Sequence, residues 1–412
     1  MKIAVWHNLP SGGGKRALYH HLKGLHARGH HLEIWCPDAA DSTFLPLSDF
    51  GREHRVPVRF KSPTKGRTAI GQSTSKLRGT VERLAAFRTH CSQCADEINA
   101  GSFDVLFANA CVWHRTSYLG DMANIPSVLY LQEPYRWLYE ALPRLPWAAL
   151  PPPGRHWWSP GYLSWFLQDM FETQALRVQV REELAMARGF DKILVNSLFS
   201  RESVRRAYGL DSEVCYLGVD GDLFRPLGLQ RENLVISVGG LSMQKGAEIA
   251  IRAIGSVPED IRPRFLWIGN FASRGYLNDM KGLAESLKVV FQVKVMVTDK
   301  ELVEWLNRAA VMIYTPRLEP FGFAPLEAHA CETPVVAVAE GGVRETVVNG
   351  QNGRLVPSDD PEILGGAITE LLTQPAMARE MGRQGRADVL RHWTWTQGID
   401  RLECCLMKSS VA

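Results

Sequence analysis

No apolar run in this sequence approaches the roughly 20 residues that a bilayer-spanning helix requires, and the chain opens on Lys2-Ile-Ala-Val-Trp6 without the pattern of a cleaved leader. A cytoplasmic protein is therefore expected, with room for a peripheral contact on the inner face of a membrane. Cysteine is scattered. Cys36, Cys91, Cys94, Cys111, Cys215, Cys331, Cys404 and Cys405 build no disulfide framework, and Cys91-Ser-Gln-Cys94 lacks the second pair that a zinc site needs. Charge of neither sign prevails. A formal net charge of +3 over 412 residues leaves no electrostatic footprint for nucleic acid, so none is expected as a partner. No internal sequence repeat is visible beyond a similar layout of the two alternating series.

What is present is the composition of a soluble globular protein, 45% apolar and 22% charged. At roughly 100 to 200 residues per domain, this length gives two or three domains. The first third alternates strand and helix: strand Ile3 to Trp6, a Ser11-Gly12-Gly13-Gly14 loop, helix Lys15 to Arg28 and strand Leu32 to Trp35. Such alternation builds parallel sheets covered by helices. Residues Gly51 to Gly79 are basic and turn-rich and are expected to form a long mobile loop. Helix Lys76 to Ala100 leads to strands Val105 to Ala108 and Ser127 to Leu131. Residues 135–166 hold Trp137, Trp147, Trp157, Trp158, Trp165 and Pro151-Pro152-Pro153, which exclude a regular helix or central strand; an insertion is expected there, packed by its own rings or serving as a lid or membrane-interface patch. A second alternating series runs from Asn233, with strands at 234–238, 265–268, 293–297, 311–314 and 335–338. The fold class is α/β, two doubly wound parallel sheets, with ligands expected in a cleft at the strand carboxyl ends. Residues 1–210 are expected to form the first domain, 211–390 the second, and 391–412 a C-terminal helix packing back toward the first.

One stretch carries concentrated chemistry, Thr315-Pro-Arg-Leu-Glu319-Pro-Phe321-Gly322-Phe323-Ala-Pro325-Leu-Glu327-Ala328. A buried strand, 311–314, runs into a helix over 324–330 with Pro325 at its first position. Two carboxylates lie eight positions apart. Gly322 lets the backbone approach a ligand, and free N–H groups at a helix N-terminus suit a phosphate or sugar hydroxyls. Lys245 follows Gly239-Gly240 and opens a helix with Gly246, a placement that fits a diphosphate leaving group. Read alone, Glu327 is an acid favoured by the helix dipole and Lys245 a solvated helix residue.

The chain resembles the retaining nucleotide-sugar glycosyltransferases of glycosyltransferase family 4 over nearly its whole length. The likeness is strongest in Ser237-Val-Gly-Gly-Leu-Ser-Met-Gln-Lys245-Gly246, in Glu319 to Ala328, in Thr333-Pro-Val-Val-Ala-Val and in Gly341-Gly-Val-Arg-Glu-Thr-Val-Val-Asn-Gly350. The resemblance implies the GT-B architecture, two Rossmann-like domains facing across a deep cleft. It implies that Glu319 and the backbone at Phe321, Gly322 and Phe323 hold the donor sugar, that Glu327 binds the ribose, and that Gly13 and Gly14 face the donor phosphates. The Arg that usually accompanies Lys245 is absent at Gly240, so that either Arg16, Arg201 or Arg317 supplies a second charge or the leaving group is stabilised less. Leu131-Gln132-Glu133-Pro134-Tyr135-Arg136-Trp137 is similar to a signature of mannosyltransferase-like members, with Gln132 at the family's His. Gln132 can orient a hydroxyl through its amide; Glu133 is the nearest acid or base, or else an ion pair to Arg136; His114 is a further candidate. The implied substrate is a GDP- or UDP-linked sugar, with no other cofactor. The acceptor is a glycan, a lipid-linked species or a small molecule. Metal-independent transfer is expected. A GT-B epimerase or phosphorylase, and a nucleotide-sugar-binding protein without catalysis, are the alternatives.

Overall fold

A computed structural model of the chain describes residues 1–60, 69–139 and 159–411. Its contacts divide it into a first unit, Met1–Val195, Arg201–Val214 and Arg401–Ala412, and a second, Asn196–Ser200 and Cys215–Asp400.

The first unit is built on seven parallel strands: β1 (Lys2–Asn8), β2 (His31–Pro37), β3 (Gly51–Val56), β4 (Val105–Cys111), β5 (Ser127–Tyr130), β6 (Lys192–Val195) and β7 (Glu213–Val214). Their order is β3-β2-β1-β4-β5-β6-β7. Every residue of β4 is buried, and six of the seven in β1, as expected of strands with helices on both faces. Helix Gly13–Ala27 turns Ala17, Leu18, Leu22 and Leu25 inward, one face at helical spacing. The core gathers Trp6, Trp35, Phe87, Phe103 and Leu106.

The second unit holds six parallel strands: β8 (Glu232–Val238), β9 (Arg264–Gly269), β10 (Phe291–Val295), β11 (Ala309–Tyr314), β12 (Val335–Val338) and β13 (Gly353–Val356), in the order β10-β9-β8-β11-β12-β13. Val235, Ile251, Phe265, Trp267 and Ile313 lie in its core. Thr298 and Glu301 close a capping box on helix Asp299–Arg308, and Asp360 with Pro361 starts helix Pro361–Thr373. Among the described residues, no helix is long and apolar enough to cross a membrane.

Several expectations are corrected. Gly51 to Gly79 is not one loop: it contributes β3 and the start of helix Ala69–Ala100, and only residues 61–68 lie outside the described part. Gly-Arg-Glu-His-Arg-Val has no apolar alternation because β3 is an edge strand, held by its parallel register with β2 and by His54, which stacks on Trp35 at 4.4 Å and bonds Glu33 at 3.0 Å. Residues 135–166 contain helix Arg136–Tyr139, and helix Pro160–Arg188 begins inside them, capped by Ser159, whose hydroxyl accepts from Tyr162 N at 3.1 Å, with Pro160 at the first position. Trp147, Trp157, Trp158 and Pro151 to Pro153 lie outside the described residues. Pro325 is the third residue of helix Phe323–Ala330, not the first; an N–H there would also lack an intrahelical acceptor, so proline costs little.

Candidate functional site

In the second sheet the chain starts at β8, moves outward through β9 and β10, then crosses back to β11 and moves outward the other way. The carboxyl ends of β8 and β11 thus form the switch point of a doubly wound sheet, where the connections diverge and leave a crevice. Lys245 comes from the loop after β8, and Glu319 from the loop after β11. The structure brings them together: Lys245 Nζ lies 2.7 Å from both carboxylate oxygens of Glu319. Both side chains stay partly exposed.

The two loops are knitted by backbone. The Thr315 hydroxyl faces the carbonyls of Lys245 and Gly246, each at 3.0 Å, and donates to them. Gly246 is left-handed at φ 71, and a Cβ there would stand 2.6 Å from the Thr315 carbonyl. Lys245 ends a single 3-10 turn, Met243–Lys245, and helix Ala247–Gly255 follows Gly246. Gly342 N donates to Glu319 O at 2.8 Å, while Leu318 takes φ 51, a conformation that a branched residue holds only under constraint. Gly341 has Glu319 backbone where a Cβ would go, at 2.4 Å. The Gly341-Gly342 turn therefore sets where Glu319 points.

Gly322, at φ 88, caps helix Phe323–Ala330 without a side chain. The N–H groups of Gly322 and Phe323 meet no acceptor among the described residues, so they are available to an oxygen-rich ligand. Phe321 is buried, with its ring against Phe323 and Trp393; its side chain serves packing and its backbone faces the turn. Glu327 is buried in the same helix.

The absence at Gly240 has a structural counterpart. The Phe271 ring stands 2.4 Å from where a Cβ at 240 would be, and Leu241 N donates to Phe271 O at 2.9 Å. The volume of the missing Arg side chain is thus aromatic. Arg317 is held by Glu340 at 2.8 Å and Asp359 at 3.2 Å, which raise its pKa through the Glu340 hydrogen bonds first. Arg201 pairs with Asp211 at 3.3 Å, and Arg16 lies on helix Gly13–Ala27. The sequence also carries one Asp-x-Asp spacing in the second unit, Asp220-Gly221-Asp222. Asp220 Oδ1 accepts the N–H groups of Asp222 and Leu223, at 3.1 and 2.9 Å, which makes it a turn former.

In the first unit the switch point lies between β1 and β4. Gly12, at φ 145, caps helix Gly13–Ala27 without a side-chain acceptor. Gln132, just past β5, lies against the first turn: both its amide atoms are 3.0 Å from where a Cβ on Gly14 would be. Glu133 pairs with Arg115 at 3.5 Å, a residue that sequence distance does not suggest. His114 is buried against Phe87, with ring centroids 5.6 Å apart. Burial first, then Arg83, lowers its pKa to about 4, and neither ring nitrogen has a partner among the described residues. The structure therefore gathers Gln132 with the glycine loop and sets His114 in the core as a neutral ring. Lys15 and Phe271 were missed by sequence reading; the signals were a lysine directly after a glycine loop and an aromatic just beyond a strand's carboxyl end.

Comparison with known proteins bears on both units. Residues 11–223 match the family model described as Glycosyltransferase Family 4, and residues 221–388 the one described as Glycosyl transferases group 1. D-inositol 3-phosphate glycosyltransferase 1 of Catenulispora acidiphila is 30% identical over 249 residues, 54% of this chain and 59% of that protein. The GDP-mannose-dependent alpha-(1-6)-phosphatidylinositol monomannoside mannosyltransferase of Mycolicibacterium smegmatis is 29% identical over 227 residues, 50% of this chain and 59% of that protein. The chain spans about half to three fifths of the length of the curated relatives it matches. Among solved structures, sucrose-phosphate synthase from Thermosynechococcus elongatus aligns with a TM-score of 0.72 at 19% identity, over 99% of both chains. HepE of Anabaena, in complex with UDP and glucose, aligns at 0.68 and 18% identity, again over 99% of both. These likenesses establish the fold as GT-B.

Proposed function

Because this chain belongs to glycosyltransferase family 4, we propose that it moves a hexosyl group from a GDP- or UDP-linked sugar to an acceptor hydroxyl, with retention at the anomeric carbon and without a metal. The observation that carries the reading is the Lys245 and Glu319 pair at the switch point of the second sheet. In the free protein the two charges satisfy each other. A donor would part them, with vicinal sugar hydroxyls donating to the Glu319 carboxylate and the diphosphate taking the Lys245 ammonium. As the bond from the anomeric carbon to the phosphate oxygen breaks, negative charge collects on the diphosphate, and Lys245 is already placed to stabilise it. Glu327 is assigned to the ribose.

The first unit takes the acceptor, a glycan, a lipid-linked species or a small molecule. In a front-face reaction the departing phosphate oxygen accepts the acceptor's proton, so no protein base is required. That fits Gln132 as an amide that orients a hydroxyl and His114 as a buried neutral ring. HepE structures solved with UDP and with UDP-glucose support a nucleotide-sugar donor, and relatives named for inositol-based acceptors support a polyol acceptor. A cytoplasmic site, peripheral to a membrane where the acceptor is lipid-linked, completes the reading.

Lys245→Ala and Glu319→Ala should each lower transfer about a hundredfold or more with unchanged far-ultraviolet circular dichroism, followed by product mass against a panel of nucleotide sugars. Wild-type turnover in either variant would sink the donor assignment. A product that is an epimer or a sugar phosphate would mark an epimerase or phosphorylase instead. Phe271 in place of a phosphate-facing Arg favours one second reading, a binding protein without catalysis, for which donor binds tightly and no acceptor is ever modified.

A further inference from the structure

We propose that Lys15 reads an oxyanion on the acceptor, so that the acceptor is an acidic sugar or polyol carrying a phosphate or carboxylate. This rests on the assignment of the acceptor to the first unit. Lys15 is 1% exposed and among the largest fully buried side chains of the chain. It is the third residue of helix Gly13–Ala27, at the carboxyl edge of β1, β2 and β3, within electrostatic reach of His7, Cys36 and Glu53. Among the described residues its ammonium has neither a hydrogen-bond acceptor nor a carboxylate within ion-pair distance.

The neighbouring acids are committed elsewhere. Glu53 pairs with Arg55 at 3.3 Å. Asp41 Oδ1 accepts from Thr43 N and Thr43 Oγ1, both at 2.8 Å, and from Phe44 N at 3.4 Å. His7 is buried and kept neutral by that burial, so it adds no second positive charge beside Lys15 and offers it no counter-charge. A desolvated ammonium without a close counter-charge is unfavourable unless a ligand completes it. The helix start adds to the same field. Its cap has no side chain, its first turn has no acid, and the N–H groups of Gly13 and Gly14 meet no acceptor among the described residues. The Gln132 amide lies against Gly14. Oxyanion oxygens would accept hydrogen bonds from Lys15 Nζ, and the sugar hydroxyls would reach Gln132, while the N–H groups of Gly13 and Gly14 are left to the donor phosphates.

The test compares wild type, Lys15→Met and Lys15→Arg by titration calorimetry and thermal melting at fixed ionic strength, with glucose, glucose 6-phosphate, glucuronate and inorganic phosphate as probes. Wild type should bind at least one acidic sugar about tenfold to a hundredfold more tightly than glucose; whether glucose 6-phosphate or glucuronate is preferred identifies the group. Lys15→Met should lose that preference, Lys15→Arg should keep part of it, and Lys15→Met without ligand should melt at or above wild type, since an uncompensated charge has gone. Equal binding of acidic and neutral sugars by wild type would overturn the proposal. So would a melting point for unliganded Lys15→Met well below wild type, which would make Lys15 a structural partner of Glu53, or an undiminished phosphate response in that variant. Nucleotide-sugar binding is measured in parallel and should be equal in wild type and Lys15→Met. Its absence from wild type would count against the transferase reading while leaving the acidic-sugar comparison to decide Lys15.

Discussion

Glu183 is fully buried on helix Pro160–Arg188, where one carboxyl oxygen accepts from the Tyr208 hydroxyl and from Tyr135 N at 3.3 Å. Its other oxygen has no partner among the described residues. Burial pushes the carboxyl up to about 7, against the opposing pull of those hydrogen bonds. Below the unfolded value near 4.5 the group is protonated in both states and costs nothing. Between 4.5 and 7 the unfolded chain releases its proton while the folded one keeps it, so stability falls as pH rises through this window and is lowest above it. The shift corresponds to roughly 3 kcal/mol at pH 8. Glu183→Gln cannot ionise, so its melting temperature relative to wild type should rise from pH 5 to pH 8. A difference that stays flat with pH would mean that water reaches the carboxyl. Since Glu183 holds Tyr135, three residues past Gln132, the same variant reports how firmly that loop is fixed.

The loops after β8 and β11 act together because Thr315 donates to the carbonyls of Lys245 and Gly246. Thr315→Val keeps the shape and removes the donor; Gly246 O retains the Ala250 N–H at 3.1 Å, so the partly buried Lys245 carbonyl is the one left short of a partner, at a cost of about 1–3 kcal/mol. Donor KM should rise several-fold in Thr315→Val and stay near wild type in Thr315→Ser; equal behaviour of the two variants would show that packing, not the hydroxyl, sets the site. This knitting was not legible in the sequence, since Thr315 and Lys245 are far apart in the chain and a hydroxyl has no motif of its own. What was legible shared a reason. Buried parallel strands such as β4 and β11 are continuous apolar runs, and Gly246 and Gly322 stand where only left-handed backbone closes the turn. The edge strands β3 and β13 were not legible, although the edge strand β10 was. In β3 and β13 backbone pairing does the holding and the side chains need not alternate. Glu133 has a partner that sequence distance hides for a related reason: β4 and β5 lie side by side and bring the loop bearing Arg115 to it, while the Arg136 side chain lies outside the described residues.

Each unit has its own sheet and its own core, and their charges differ. The first carries 28 Lys and Arg against 21 Asp and Glu, a net of +7, and the second 19 against 23, a net of −4. The overall field of the second unit would not draw an anionic donor; on the proposed assignment, Lys245 and the start of helix Phe323–Ala330 would supply the attraction locally. Scanning calorimetry tests this at the scale of the molecule. Two cores of this size should unfold in two resolvable steps, and a nucleotide sugar at 100 times its Kd stabilises the unit that binds it by about 2.7 kcal/mol. For a unit of nearly 200 residues that is an upward shift of roughly 5–10 °C in one transition, with the other left in place. Glu319→Ala should retain both transitions and lose the shift. If both steps moved together with donor, unfolding of the two units would be coupled and the donor site could not be credited to the second alone. If neither moved with any nucleotide sugar, Lys245 and Glu319 would be an ion pair of the fold, and the charge that prepares this crevice for a diphosphate would have to be sought elsewhere.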